Sequence, residues 1–346
     1  MSPNYRKRDF AAPKPDLDGK SLLVTGGTGS FGRYFIRTVL SRYKLERLIV
    51  FSRDELKQYE MQHEKGIGEH DTLRFFLGDV RDIHRLEMAL RDVDIVIHAA
   101  ALKHITAAEY NPFECIRTNV HGAENVVRAA IGAGVSKVVA LSTDKAANPV
   151  NLYGASKLAA DKIFIAGNSL AGSNPTRFSV VRYGNVLGSR GSVLPHFQRL
   201  IAEGAKSLPI TDPRMTRFWI TLQQGVDLVL STLSLMQGGE IFVPKIPSMR
   251  VTDLGNALLP GFSPQVVGIR PGEKLHECLI TQDEARNTYD LGDRYIIAPS
   301  FRFWTGEAIP KNAKTIGDET FSYTSDSNTE WLSVEDIASV VNEKQL

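Results

Sequence analysis

Tyr153 and Lys157 stand at i and i+4 in Tyr153-Gly154-Ala155-Ser156-Lys157. On a helix that spacing puts a phenol and an ammonium on one face. Just before them, Ser142-Thr143-Asp144-Lys145 gathers two hydroxyls, a carboxyl and an amine behind an apolar run. Nearer the N-terminus, Thr25-Gly26-Gly27-Thr28-Gly29-Ser30-Phe31-Gly32 spaces its glycines as G-x-x-G-x-x-G. Residues without a Cβ let such a turn tighten and the backbone approach a pyrophosphate, while the N–H groups and dipole of a following helix face the negative charge. With a nicotinamide dinucleotide held there, Lys157 and the positive charge of the oxidised ring would stabilise phenolate and make Tyr153 a base near neutral pH. Each piece alone has an ordinary reading: a solvated helix face, a surface ion pair, a tight turn. Their co-occurrence on one scaffold favours the chemical reading.

That scaffold is legible. From Ser21 to Arg182 the short apolar runs Leu22–Val24, Leu48–Phe51, Leu73–Leu77, Ile95–His98, Val138–Leu141 and Phe178–Val181 are expected strands. Their near-continuous hydrophobicity is what strands covered on both faces show. Between them, Phe31, Phe35, Ile36, Val39 and Leu40 recur at helical spacing, and Ile83–Leu90, Pro112–Ala133 and Tyr153–Gly167 also read as helices. The alternation predicts βαβ units and an α/β, doubly wound, mostly parallel sheet of the Rossmann kind. The glycine turn then lies between the first strand and helix, and Ser142–Lys145 at the carboxyl end of the fifth strand, where such sheets place ligands. After Gly184 the rhythm breaks, leaving helices near Val193–Glu203 and Leu222–Leu235, a strand at Ile241–Val243 and a short helix opening at Ser333. The expected organisation is a tail over residues 1–20, a dinucleotide-binding domain over 21–185, and a smaller mixed α/β substrate lobe over 186–346, part of which rejoins the first domain.

Composition limits the alternatives. The chain has 346 residues, 42% apolar and 23% charged, an ordinary folded mix. Forty-one Lys and Arg against thirty-nine Asp and Glu leave +2, too balanced for affinity that rests on nucleic-acid backbone or an anionic membrane. Cys115 and Cys278 form no C-x-x-C pair, which fits a reducing compartment, and Met1–Lys20 lacks an apolar stretch, so the cytoplasm is the expected location. The strongly apolar stretch Val93–Leu102 falls short of the ~18 residues a membrane span needs. His98 and His104 match no metal-ligand spacing, and no metal is expected.

The second strand ends Phe51-Ser52-Arg53-Asp54, so Ser52 stands where an NAD-binding site would carry an acid. A hydroxyl followed by the Arg53 guanidinium, with Lys57 one helical turn on, suits a ribose 2′-phosphate and predicts NADP. The bland alternative pairs Arg53 with a surface acid and leaves Lys57 on a solvated helix face. Asp79, after the third strand, either reaches the adenine amine or caps the next helix.

These residues resemble the extended short-chain dehydrogenase/reductase superfamily and, within it, the UDP-N-acetylglucosamine 4,6-dehydratases that invert C5, which open pseudaminic acid-type pathways. The resemblance runs over most of the chain. Beyond the motifs above it is carried by Gly78-Asp79-Val80-Arg81-Asp82, His98-Ala99-Ala100-Ala101-Leu102-Lys103-His104, Arg182-Tyr183-Gly184-Asn185-Val186, Asp212-Pro213-Arg214-Met215-Thr216-Arg217-Phe218 and Arg270-Pro271-Gly272-Glu273-Lys274. It implies cofactor contacts from Gly26, Thr28, Gly29, Ser30, Phe31, Gly32, Val80, Ala99, Ala100, Ala101, Lys103, Ser142 and Tyr183 as well as from the residues already named. In the implied reaction Tyr153 takes the proton of the sugar 4-hydroxyl while Thr143 holds O4. Lys145 removes the C5 proton as a neutral amine, and a protonated Asp144 serves the departing 6-hydroxyl. The retaining relatives commonly carry Glu at the base position, so Lys145 favours inversion.

Resemblance also implies that Arg217 and Arg270 clamp the diphosphate or nucleotide end of a UDP-sugar. Asn185 lies near the diphosphate or is a turn residue; Glu273 holds ribose hydroxyls or pairs with Lys274 or Arg270; Lys103 meets nicotinamide ribose, substrate or only water. The family association state implied is a homo-oligomer, a hexamer or dimer. Other readings are a nucleotide-sugar epimerase, a retaining dehydratase, and a non-catalytic binder of NADP or a nucleotide sugar.

Overall fold

In the computed structural model, which describes residues 8–189, 191–301, 309–310 and 312–342, all six expected apolar runs are strands. They are β1 (Ser21–Thr25), β2 (Arg47–Ser52), β3 (Leu73–Leu77), β4 (Ile95–His98), β5 (Lys137–Thr143) and β6 (Arg177–Tyr183). All pair in parallel, β1 lying between β2 and β4 with Val24 level with Val50 and Ile97. Every residue of β1 is buried. Helices on both faces account for that, and each fully covered Leu, Val or Phe contributes roughly 1.5–3 kcal/mol.

The helices follow their apolar stripes and caps. In α1 (Ser30–Arg42) Phe35, Ile36 and Val39 face the sheet. In α2 (Glu55–Gln62) the Asp54 carboxylate caps by accepting from the Lys57 N–H at 3.0 Å, a contact of the kind that contributes ~1 kcal/mol. Helix α3 (Ile83–Ala89) is capped by Asp82, which accepts from the Arg85 N–H. Asp79 therefore does not cap it. A short helix absent from the sequence reading, α4 (Ile105–Tyr110), follows β4. The single helix expected over Pro112–Ala133 is instead α5 (Pro112–Ile116), a π-helical turn over Arg117–His121, and α6 (Gly122–Ala133). The wider turn carries Asn119, whose amide accepts from the Leu102 N–H at 2.8 Å and donates to the Leu102 carbonyl at 3.0 Å and Ser156 Oγ at 2.9 Å. Local pattern cannot register such a long-range demand. Helix α7 (Leu152–Leu170) is capped by Asn151, which accepts from the Gly154 N–H at 2.8 Å.

The later chain builds β7 (Asn185–Val186), α8 (Val193–Ala202), β8 (Ser207–Ile210), β9 (Thr216–Ile220), α9 (Leu222–Leu235) and β10 (Ile241–Pro244). It continues with β11 (Ser248–Arg250), α10 (Val251–Leu258), β12 (Ser263–Val266), β13 (Cys278–Ile280), β14 (Thr288–Asp290) and β15 (Arg294–Ile297). Last come β16 (Lys314–Thr315), β17 (Tyr323–Thr324) and α11 (Val334–Asn342), the last opening behind Ser333. Among the described residues the main sheet runs β16-β14-β15-β10-β6-β5-β4-β1-β2-β3, so four late strands extend the early sheet, with β15, β14 and β16 antiparallel. A smaller sheet, β11-β9-β7, carries a second core in which Leu194, Phe197, Met249, Leu254 and Ile337 meet. Of the expected N-terminal tail, residues 1–7 lie outside the described residues. The rest is packed rather than loose: Phe10 and Leu17 join the main core, and Arg8 bonds the Glu330 carboxylate at 2.6 Å.

Candidate active site

A cleft of about 640 Å³ opens at the carboxyl ends of the strands, where strand order reverses around β1 and β4. One end is the glycine turn. Gly26 has φ +66°, and a Cβ there would lie 2.8 Å from the Ala100 nitrogen, so this position must be glycine for the turn to meet the end of β4. Thr28, Gly29, Ser30, Phe31 and Gly32 line the same end, and α1 starts behind Gly29 with no side-chain cap. This is a cradle that a dinucleotide pyrophosphate fits. Beside it, Ser52 Oγ accepts from Gln58 Nε2 at 3.1 Å. Arg53, half exposed, lies 3.6 Å from Asp79, and Lys57 is ion-paired with Asp54. Burial works to raise the Asp79 carboxyl, but hydrogen bonds from Arg81 and the charges of Arg81 and Arg53 hold it below the usual carboxylate range.

At the other end β5 delivers Ser142 and Thr143, and α7 delivers Tyr153 and Lys157. Helix and strand end come so close that a Cβ on Gly154 would sit 2.3 Å from the Lys145 carbonyl. Thr143 Oγ1 donates to Asp144 Oδ1 at 2.8 Å, and Lys145 Nζ donates to the same oxygen at 3.0 Å. Lys145 Nζ also lies 3.4 Å from Glu277, whose carboxylate is 3.6 Å from the Arg217 guanidinium. Asp144 and Glu277 are almost fully buried, whereas Lys145 lines the cleft. Burial, reinforced by the Glu277 charge, raises the Asp144 carboxyl despite Lys145. Burial opposes charge on Lys145, yet Asp144 and Glu277 outweigh it and hold the ammonium above the usual lysine range.

Burial pushes the Tyr153 phenol up to about 12; the cation that pulls it back is Lys145. Lys157 stands one helical turn beyond Tyr153 on the same helix. Its Nζ donates to the Leu141 carbonyl at 2.7 Å, and burial lowers it while Asp161 pulls it back up. Asp161, on the same face of α7, accepts from Ser142 Oγ at 2.7 Å and lies 3.6 Å from buried Arg182, which bonds Glu284 at 3.0 Å. His98 is hydrogen-bonded to Thr25 at 2.8 Å and, pushed to about 3 by burial and then by Lys157, is neutral.

The sequence pattern of the polysaccharide biosynthesis protein family matches residues 22–299. This chain belongs to that family. It is 54% identical over 332 residues, 94% of its own length and 98% of the relative's, to the UDP-N-acetylglucosamine 4,6-dehydratase (inverting) of Campylobacter jejuni subsp. jejuni serotype O:23/36. It is 44% identical to the UDP-glucose 4-epimerase of Rickettsia canadensis, over 80% of this chain and 82% of that one. Among solved structures, Pen from Bacillus thuringiensis superposes with a TM-score of 0.87 at 35% identity, over 96% of this chain and 99% of that one. DesIV, a dTDP-glucose 4,6-dehydratase from Streptomyces venezuelae with NAD bound, superposes at 0.66 and 25% identity, over 74% of this chain and 86% of that one. The doubly wound α/β class expected from the sequence is thus the fold of this polysaccharide biosynthesis family member.

Within this family framework, every residue singled out for cofactor contact lines the cleft: the glycine turn, Ser52, Arg53, Lys57, Asp79, Val80, Ala99, Ala100, Ala101, Lys103, Ser142, Tyr153, Lys157 and Tyr183. Thr143, Lys145 and Asn185 line it too, and the buried Asn185 Oδ1 accepts no hydrogen bond within the described structure. Asp144 sits beneath the wall. Arg217 and Arg270, expected at the diphosphate, and Glu273, expected at ribose hydroxyls or paired with a neighbouring cation, do not line this cleft. The Arg217 guanidinium donates to the carbonyls of Thr216, Lys274 and Leu275 at 2.7–3.1 Å. Exposed Arg270 pairs with Glu273 at 3.6 Å, the bland alternative for both. The Gly272–Lys274 segment instead docks by a backbone carbonyl and an ammonium on the loop before α7: Asn151 Nδ2 donates to the Gly272 carbonyl at 2.7 Å and Lys274 Nζ to the Ala147 carbonyl at 2.6 Å. Glu277 escaped the sequence reading because an acid in Lys274-Leu275-His276-Glu277 looks solvated; in the fold it is buried beside Lys145 and Arg217.

Proposed function

We propose that this chain is an NADP-dependent hydro-lyase that dehydrates UDP-N-acetylglucosamine across C5 and C6 with inversion at C5, giving a UDP-2-acetamido-2,6-dideoxy-hexos-4-ulose. The observation that carries the reading is the Lys145–Asp144 contact of 3.0 Å at the edge of a cleft that also holds Tyr153 and a glycine turn. Relatives named UDP-N-acetylglucosamine 4,6-dehydratase (inverting) at 54% identity support the reaction class. A nicotinamide cofactor, when bound, takes hydride from C4 and returns it to C6. Tyr153 accepts the 4-hydroxyl proton and Thr143 orients O4. The resting ion pair already contains what elimination needs: moving one proton across the Lys145–Asp144 hydrogen bond yields an amine and a carboxylic acid without exchange with solvent. Lys145 then takes the C5 proton and Asp144 gives its own to the leaving hydroxyl, which restores the ion pair; with hydride returned to C6 the resulting enolate takes a solvent-derived proton at C5 on the face opposite Lys145, which inverts that centre, and Tyr153 releases the O4 proton to solvent.

For NADP the support is Ser52 at the end of β2 and the half-exposed Arg53, where a 2′-phosphate would compete with Asp79. Lys103, Asn185, Arg270 and Glu273 belong to the sugar-nucleotide side of the same reading, and Arg217 holds the adjoining Lys274 and Leu275 carbonyls. The reading includes a dinucleotide-binding unit over 21–185 and a mainly substrate-binding unit over 186–346, in a cytoplasmic homo-oligomer, a hexamer or dimer, serving pseudaminic acid-type sugars. The test is NMR of the product formed from UDP-N-acetylglucosamine in deuterated water. A 6-deoxy-4-keto sugar labelled at C5, with inverted configuration, is expected. The relatives named UDP-glucose 4-epimerase favour a second reading, under which C5 stays unlabelled and no water is lost.

A further inference from the structure

Glu277 has no part in the chemistry described so far, yet its placement is costly. Its side chain is 3% exposed, 3.4 Å from Lys145 Nζ and 3.6 Å from Arg217. Its Oε2 is buried with no hydrogen-bond partner in the described structure. A carboxylate in such a position is retained only against a heavy desolvation cost, which two cations beside it offset. The same contact accounts for Arg217, whose guanidinium stays with Glu277 and three carbonyls rather than in the cleft wall.

We infer that Glu277 is a positioning residue of the proton-transfer pair: its carboxylate anchors the Lys145 amine beside Asp144 and, with Arg217 as counter-ion, fixes the charge that amine carries at rest. The inference rests on the dehydratase reading. Lys145 reaches the cleft between two buried carboxylates, so its Nζ is held from two directions and loses less conformational freedom on meeting C5. The charged and titratable groups around the cluster include Asp144, Lys145, Tyr153 and Asp161 from the loop after β5 and α7, Arg217 from β9, Lys274 from the docked segment and Cys278 from β13. Glu277 is held below the usual glutamate range, because Lys145, Arg217 and Lys274 outweigh its burial. It therefore stays ionised while Asp144, raised by burial and by the Glu277 charge, is the carboxyl that takes a proton.

The experiment compares wild type, Glu277→Gln and Glu277→Asp as full chains with NADP bound, measuring kcat and KM for UDP-N-acetylglucosamine across pH. Removing the Glu277 charge lowers the proton affinity of both Lys145 and Asp144. Both limbs of the Glu277→Gln profile should therefore move about one unit toward acid, with KM and NADP affinity unchanged. Glu277→Asp keeps the charge and withdraws it, so it should keep the wild-type profile while kcat falls about tenfold. A Glu277→Gln profile that superimposes on wild type, or a KM that moves with kcat, overturns the inference. If Glu277→Gln does not fold, Glu277→Asp decides: a lowered kcat at constant KM upholds it, and a wild-type kcat overturns it. A wild type that yields no 6-deoxy-4-keto product overturns the dehydratase reading and this inference together, whereas a productive wild type with insensitive variants overturns the inference alone.

Discussion

The two ends of the cleft are built by opposite means. At the glycine-turn end the working surface is backbone supplied by one contiguous run, and what matters is the absence of side chain: a Cβ on Gly26 would meet the Ala100 nitrogen at 2.8 Å. At the Tyr153 end the working surface is charge, gathered from the turn after β5, from β9 and from the stretch before β13 into the Asp144–Lys145–Glu277–Arg217 cluster. Added bulk should cripple the first end and changed charge the second. Substitutions that trade one kind of damage for the other test that division.

The largest effect is expected at Lys145. Lys145→Ala should lower dehydration by about 10³-fold or more while leaving NADP affinity intact, since the glycine turn is untouched. Steady-state kinetics and dinucleotide titration check both halves, and unaltered turnover removes Lys145 from the base role. Stability adds a second reading. Without the ammonium, Asp144 and Glu277 are two buried carboxylates side by side, and breaking such a pair costs ~3–5 kcal/mol when the remaining charge is uncompensated. Carboxyls whose folded-state affinity for protons is raised lose stability as pH rises above their unfolded values and regain it as they protonate. The melting deficit of Lys145→Ala relative to wild type should therefore grow from pH 4 to pH 8; a deficit independent of pH contradicts the buried-pair account.

Tyr153→Phe comes next, with a loss of about 10²-fold in the first hydride step, read from the transient reduced-nicotinamide absorbance. Burial holds the phenol at about 12 before any ligand arrives, with Lys145 as the cation that opposes it. Lys145→Ala should thus also slow this oxidation step, and so should Lys157→Met, which removes a cleft-lining cation and its contact with the Leu141 carbonyl.

How much of this was legible follows the same division. The strands, the glycine turn and the Tyr153–Lys157 spacing depend on neighbours in sequence, and a period of apolar residues or of glycines records them directly. The break at Arg117–His121 was not legible, because it serves Asn119 contacts with Leu102 and Ser156 that no helical period encodes. Glu277 and Arg217 were hidden for the same reason. Arg217 was read as a phosphate ligand because guanidinium is suited to one, whereas its neighbours here are three carbonyls and the buried Glu277 carboxylate, all distant or unmarked in the sequence. Late strands joining the early sheet are likewise a matter of distant pairing: β10 carries only Ile241–Pro244, and its place beside β6 is set by register with Val180 and Val181.

Gly26→Ala probes the backbone end. The left-handed φ of +66° and the contact with Ala100 together predict a stability loss of about 2 kcal/mol and weaker dinucleotide binding, with the pH profile of residual activity unchanged. Chemical denaturation measures the first and the profile the second. A displaced profile would mean that the two ends are coupled through more than the bound ligand.

The smallest effect should come from Arg53→Ala. Arg53 is more than half exposed and lies 3.6 Å from Asp79, so its charge is well screened. Removing it frees Asp79 from one cation but leaves Arg81, which bonds the same carboxylate at 2.8 Å, and the local loop should hold. Affinity for NADP should fall about tenfold through loss of a charge-assisted contact to the 2′-phosphate, while affinity for NAD stays the same or rises slightly. Equal losses for the two dinucleotides would assign Arg53 to the shared adenosine portion. No loss for either would leave Lys57, now paired with Asp54, as the cation that meets the phosphate, and the choice between NADP and NAD would rest on a side chain that must first break an ion pair.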